Sequence, residues 1–290
     1  MPCRLNICKA YILRVVNTVL FYIFVFSINN QKNMLVLLSC AKTMSEVTKV
    51  KVPQTTEPLF HKEAAEIALQ MSQFSVDELE RELQVNAKIA VENYKRYQTF
   101  FADGAGRLPA VLGYTGIVFK RLSPRSFQPK DFLYAQDHLR FTSFCYGLLR
   151  PLDQIHPYRL EGNVILPEFG GLSLFAYWQS KLTDLLIKEV KNAGGILCYL
   201  ASNEMHGLFD WKRVEEEVTV ITPDFHVWKN GKLKTIVVYT KMCRGEMARF
   251  IIKNQIKDSE SIKQFSWEGF EYNERLSTEK QFVFTNGREF

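Results

Sequence analysis

Between Leu172 and Ala201 the chain places a helix and a strand back to back. Leu174, Phe175, Trp178, Leu182, Leu185, Leu186 and Val190 recur at helical spacing and make one apolar stripe. Gly194-Gly195 stops that helix. Ile196–Ala201 follows at once as a short continuous apolar run, the pattern of a strand buried on both faces. Met34–Ser39 and Val218–Thr222 are runs of the same kind. Buried strands separated by long amphipathic helices predict an α/β (mixed α+β) chain: one domain with a mixed central sheet and flanking helices.

The rest of the chain fits that frame. Phe60–Gln73 and Lys88–Phe101 carry helical periods, and Ser75-Val76-Asp77-Glu78 is a capping box opening a helix between them. Asp103–Arg107 reads as a Gly-rich turn, Ala110–Gly113 as a strand and Lys130–Thr142 as a helix. Asn230-Gly231 between Phe225–Lys229 and Lys232–Tyr239 predicts a hairpin with a type I′ turn. Lys241–Asn254 reads as a basic loop entering a helix, and Phe270–Asn273 with Gln281–Thr285 as a closing hairpin.

Charge narrows the function. The 290 residues are 47% hydrophobic, ample for a core, with a formal charge of +6. Residues 1–33 hold Arg4, Lys9, Arg14 and Lys32 and no acid, so the body carries only +2. So balanced a body is no nucleic-acid binder on charge alone, and an anion site must come from local clustering. The stretch Asp131–Glu161 supplies such a cluster: Arg140, Arg150 and Arg159, Tyr134, Tyr146 and Tyr158, two histidines and several acids among apolar residues. Tyr146-Gly147 and Arg150-Pro151 punctuate it in a way compatible with a helix-hairpin-helix element.

Residues 1–33 read differently from the body. The clean apolar part, Val15–Ile28, has 14 residues, short of the roughly 20 a spanning helix needs. No A-x-A cleavage site follows. We read 1–33 as a non-native or disordered extension, with Met34 as the first residue of a 34–290 domain and no stable membrane association. The six cysteines show neither Cys-x-x-Cys nor zinc spacing and read as reduced thiols of a cytosolic protein. No P-loop, His-Glu-x-x-His, Gly-x-Ser-x-Gly or EF-hand loop is present, and Gly104-Ala105-Gly106 lacks the helix a dinucleotide fingerprint needs. We expect no cofactor and no resident metal.

From Met34 on, the chain resembles the YaaA family of peroxide-stress-resistance proteins. The resemblance rests on Leu37-Leu38-Ser39-Cys40-Ala41-Lys42-Thr43, on Gly113-Tyr114-Thr115-Gly116 and on His138-Leu139-Arg140 through Tyr146-Gly147-Leu148-Leu149-Arg150-Pro151-Leu152-Asp153 to Pro157-Tyr158-Arg159-Leu160-Glu161. Leu200-Ala201-Ser202-Asn203-Glu204, and Arg244-Gly245 through Arg249-Phe250-Ile251-Ile252, complete it. Cys40 stands where the family usually has Pro, and Gly113 and Asn203 where it usually has Asp. The resemblance implies a cytoplasmic protein that limits oxidative damage under hydrogen peroxide and is associated with lower free iron. It also implies binding to duplex and branched DNA, without sequence specificity, through a basic cleft with a helix-hairpin-helix-like element.

Two functional readings follow. In the first, a DNA-binding stress protein without catalysis, Lys42, Thr43, Arg140, Arg150, Arg159, Lys241, Arg244 and Arg249 contact phosphates and Tyr146 and Tyr158 stack on exposed bases. In the second, an enzyme acts on a small anion such as a nucleotide or nucleobase. Lys42, Asp153, Glu161 and Glu204 are then its acid–base candidates, and Ser39, Ser143 and Ser202 orient the substrate. The bland alternative makes each acid–cation pair a structural salt bridge. Direct iron binding by His138, His156 and Glu161 needs a convergence that spacing does not show.

Overall fold

The computed structural model describes residues 33–102 and 106–287. Apart from Asn33, the expected N-terminal extension lies outside the described residues, as do Asp103, Gly104 and Ala105 of the expected turn.

Strand β1 (Met34–Leu38) is buried along its whole length. Helices α1 (His61–Met71), α2 (Val76–Glu82) and α3 (Ala87–Gln98) follow. The capping box of α2 forms as expected: the Ser75 amide donates to the Glu78 carboxylate at 2.7 Å, and the Glu78 amide to the Ser75 hydroxyl at 3.3 Å. Next come β2 (Leu108–Pro109), α4 (Ala110–Gly113), α5 (Ile117–Leu122), a 3-10 turn at Pro124–Ser126 and α6 (Pro129–His138). Ala110–Gly113, expected as a strand, is one helical turn. The amides of Ala110 and Val111 donate to the carbonyls of Asp153 and Pro151, so no sheet ladder claims them.

The expected helix Lys130–Thr142 stops at His138, and β3 (Leu139–Ser143) begins there. Pairing with β1 overrides the helical period: Leu139, Arg140 and Phe141 lie opposite Val36, Leu37 and Leu38. Strand β4 (Gly147–Leu149) then turns back on β3. The helix-hairpin-helix expected over this stretch is therefore a helix followed by a β-hairpin. A helix–turn–helix sequence does occur one segment earlier, as α5, the 3-10 turn and α6.

Strand β5 (Gln154–Ile155) pairs with β2. The long helix α7 (Leu174–Ala193) ends at Gly194 and leads into β6 (Ile196–Tyr199), as the sequence predicts. A 3-10 turn (Asn203–Leu208), α8 (Trp211–Glu217), β7 (Thr219–Lys229), β8 (Lys232–Lys234) and α9 (Val237–Asn254) follow. Asn230 and Gly231 have φ of 54° and 65°, the two positive values a type I′ turn requires. The return strand ends at Lys234 instead of Tyr239, so Lys241 sits on a helix and not in a loop. Strands β9 (Phe270–Tyr272) and β10 (Gln281–Asn286) close the chain as an antiparallel pair.

The sheet runs β4-β3-β1-β6-β7-β10-β9, with β8 added on β7. The interior pairs β3–β1, β1–β6, β6–β7 and β7–β10 are parallel, and the edges are antiparallel. From β1 the chain moves to β3 on one side, and from β6 it moves to β7 on the other. The C-terminal ends of β1 and β6 are thus a topological switch point, where loops diverge and open sheets hold ligands. No helix among the described residues is long and apolar enough to cross a membrane.

Candidate anion pocket at the switch point

The loops leaving β1 and β6 are tied to each other. The Leu200 amide donates to the Leu37 carbonyl at 2.9 Å. The Ser202 amide donates to the Ser39 hydroxyl at 2.8 Å, and that hydroxyl donates to the Ser202 hydroxyl at 3.2 Å. Ser39 and Ser202, expected to orient a substrate, therefore hold the floor of the site. A pocket of about 340 Å³ opens above them, walled by the two loops, the start of α5, the Tyr158–Leu160 segment and the first turns of α9. Gly245 lets α9 come close enough: a Cβ there would collide with the Val118 carbonyl of α5.

Charge gathers in this pocket. Lys42 donates to Glu161 at 2.7 Å, and Arg159 donates to the other oxygen of the same carboxylate at 3.3 Å. Arg244 has no acid partner among the described residues. Burial pulls its pKa below the usual value, against the attraction of Tyr199 and Asp224. The Nε atoms of Arg159 and Arg244 are both buried without an acceptor. Each such donor costs about 1–3 kcal/mol. Lys241, one turn before Arg244 on α9, is exposed at the rim, and Glu204 is an exposed wall residue with no cation partner among the described residues. Burial, then Glu204 and Glu161, push the Cys40 thiol up to about 12.

Behind the wall lies a chain of hydroxyls. The Tyr158 hydroxyl is 2.7 Å from that of Tyr114 and 2.6 Å from that of Ser143, which also accepts the Tyr146 amide at 2.8 Å. Burial raises the Tyr158 and Tyr114 phenols well above their usual range. Thr43 is at the mouth, its hydroxyl accepting from Thr115 at 2.8 Å.

Lys42, Thr43, Tyr158, Arg159, Lys241 and Arg244 thus meet in one place, with Glu161 and Glu204 beside them. Three expected anion contacts and one acid–base candidate lie elsewhere. Arg140 is buried against Glu189 and the carbonyls of Gln136 and Leu139, holding the α6–β3 junction. Arg150 binds Asp153 at 3.0 Å and the Glu57 carbonyl at 3.1 Å, in a different cleft. Asp153 is buried, accepting also from the Arg150 amide and from Thr56 at 2.6 Å, which makes it a loop brace outside the pocket. Arg249 caps the end of α5 through the carbonyls of Leu122 and Ser123 and the Ser126 hydroxyl.

The tyrosines correct the stacking expectation. Tyr146 and Tyr158 are each 3% exposed, and the Tyr146 hydroxyl accepts the His156 amide at 3.0 Å. Neither ring faces solvent to stack on a base. His138 and His156 pack on Tyr134 and Phe100 respectively and do not converge with Glu161 among the described residues. The sequence reading missed the apolar wall of Ile117, Val118, Phe119, Phe144 and Met205. Its one signal was the place of Ile117–Phe119 directly after the Tyr114-Thr115-Gly116 motif.

The same stretch of chain matches known proteins. A family model described as peroxide stress protein YaaA matches residues 34–276. The chain is 72% identical over 254 residues to a UPF0246 protein of Bacteroides thetaiotaomicron, covering 88% of this chain and 99% of that one. UPF0246 proteins of Porphyromonas gingivalis and Crocosphaera subtropica are 48% and 38% identical over 255 and 252 residues, each covering 87% of this chain and 99% of its own. With its match running through both switch-point loops and α9, this chain belongs to the peroxide stress protein YaaA family.

Proposed function

We propose that this protein serves in the peroxide-stress response by holding an anion in the switch-point pocket. One observation carries the reading: Arg159 and Arg244 each keep a buried guanidinium nitrogen without an acceptor, in the same pocket. An oxyanion bound beside these guanidiniums gains charge-assisted bonds, which are the strong ones.

Two kinds of ligand bring such a group. DNA is the one the family resemblance implies. Lys42 and Lys241 at the rim support it, since a backbone phosphate reaches them without the duplex entering the pocket. Occupied DNA would then be shielded in the cytosol from iron and peroxide, without base readout. A small anion is favoured by the pocket's size, about 340 Å³, by Glu204 in its wall and by Glu161 paired to its cations. Phosphate contacts alone have no use for carboxylates, whereas acid–base chemistry does.

Fluorescence anisotropy of a labelled duplex at several salt concentrations tests the first ligand. Binding that falls steeply with salt, and is weakened by Arg244→Gln, is expected for DNA held at this pocket. Binding that is absent, or that ignores Arg244, removes DNA as its ligand. Saturable binding of a nucleotide in the same buffer then decides for the small anion.

A further inference from the structure

Hydrogen-bond accounting around Tyr158 and the local charge narrow the ligand, on the reading that the pocket holds an anion. Tyr114, Tyr158 and Ser143 have three hydroxyl hydrogens and make two bonds among themselves. Ser143 additionally accepts the Tyr146 amide, which leaves the number of hydroxyl hydrogens unchanged. One hydroxyl hydrogen therefore has no acceptor among the described residues. Tyr158 is the member of the three that lines the pocket. When Tyr114 and Ser143 both donate to its oxygen, its own hydrogen is free for a ligand.

The pocket wall thus holds the under-used guanidiniums of Arg159 and Arg244 and, in that one arrangement of the hydroxyls, Tyr158 as a third donor. Its charge is also defined. Lys42, Arg159, Lys241 and Arg244 stand against Glu161 and Glu204, leaving two positive charges. A carboxylate has two oxygens and one charge. A phosphodiester inside a DNA strand has two free oxygens and one charge. A phosphate monoester has three free oxygens and a charge of about −1.5 to −2 at neutral pH.

We propose that the pocket takes a phosphate monoester, either a free mononucleotide or the phosphorylated end of a DNA strand. The chemistry suits the family's setting. Hydroxyl radicals formed from peroxide and iron cut strands through the deoxyribose and leave ends that bear phosphate monoesters. A pocket of this size admits a strand end where it excludes the middle of a duplex.

The test uses the full chain and labelled duplexes identical but for their termini, phosphate or hydroxyl, with deoxynucleoside 5′-monophosphate as competitor. The proposal expects phosphate-ended duplex to bind at least about tenfold more tightly than hydroxyl-ended duplex, the effect of one charge-assisted hydrogen bond or more. It expects the mononucleotide to compete. Tyr158→Phe, which removes one oxygen and keeps the ring, should shrink the preference by several-fold, and Arg244→Gln should do the same. Binding of the mononucleotide alone keeps the monoester and discards DNA as its carrier. Tight duplex binding indifferent to the termini, to the competitor and to Tyr158→Phe overturns the monoester while leaving DNA binding in place. No binding of mononucleotide or of either duplex overturns both.

Discussion

At the residue scale, the pocket's cations differ in what the fold asks of them. Arg244 is a half-buried charge with no acid partner among the described residues, and such groups are costly to the fold that carries them. Arg244→Met should therefore leave urea stability unchanged or raise it by about 1–2 kcal/mol, while removing anion binding. A clear loss of stability would make Arg244 a structural residue. Cys40 is a second case. With its thiol pushed up to about 12, almost none of it is thiolate at neutral pH. Iodoacetamide should label Cys40 far more slowly in the native protein than in urea, and rapid native labelling would contradict the burial that raises this thiol's pKa. Peroxide chemistry at this thiol is disfavoured for the same reason. Lys42, Arg159, Lys241 and Arg244, picked out by residue type and motif, do meet in one pocket. Arg140, Arg150 and Arg249 were not separable from them, because a structural guanidinium and a binding one look alike until partners such as Glu189, Asp153 and the α5 carbonyls are placed.

At the element scale, α5 and α9 set the pocket's width through one close approach. Gly245→Ala should cost about 1–3 kcal/mol in urea unfolding, because the new methyl meets the Val118 carbonyl, and anion affinity should fall with it. Unchanged stability would mean the two helices separate freely. Histidines packed against elements give a pH signature. Burial lowers the pKa of His138, His156 and His206 below the usual value. The unfolded chain therefore binds more protons as pH drops below about 6.5, and stability should decline there and be full above it. Urea midpoints that stay level from pH 7.5 to 5 would contradict this. The helices and hairpins with strong local codes, α2 with its capping box, α7 with its Gly-Gly stop and the Asn230-Gly231 turn, were legible in the sequence. The strand β3 was not, since Leu139–Ser143 continues a helical period and only pairing with β1 makes it extended.

At the scale of the whole molecule, the sheet order explains why residues more than 200 positions apart meet. Lys42 follows β1, Glu204 follows β6, and α9 returns Lys241 and Arg244 to the same edge. The sequence marked the buried strands but not their order, which depends on crossovers that local residue patterns do not encode. The central claim, that this edge holds an anion, is tested most directly by urea unfolding with and without inorganic phosphate at matched ionic strength. The comparison is between the native chain and an Arg159→Gln, Arg244→Gln double variant. Ligand binding stabilises only a fold that holds the ligand, so the native midpoint should rise with phosphate concentration beyond any rise in the variant. Equal shifts in both proteins would reduce phosphate to a general salt effect and contradict the account.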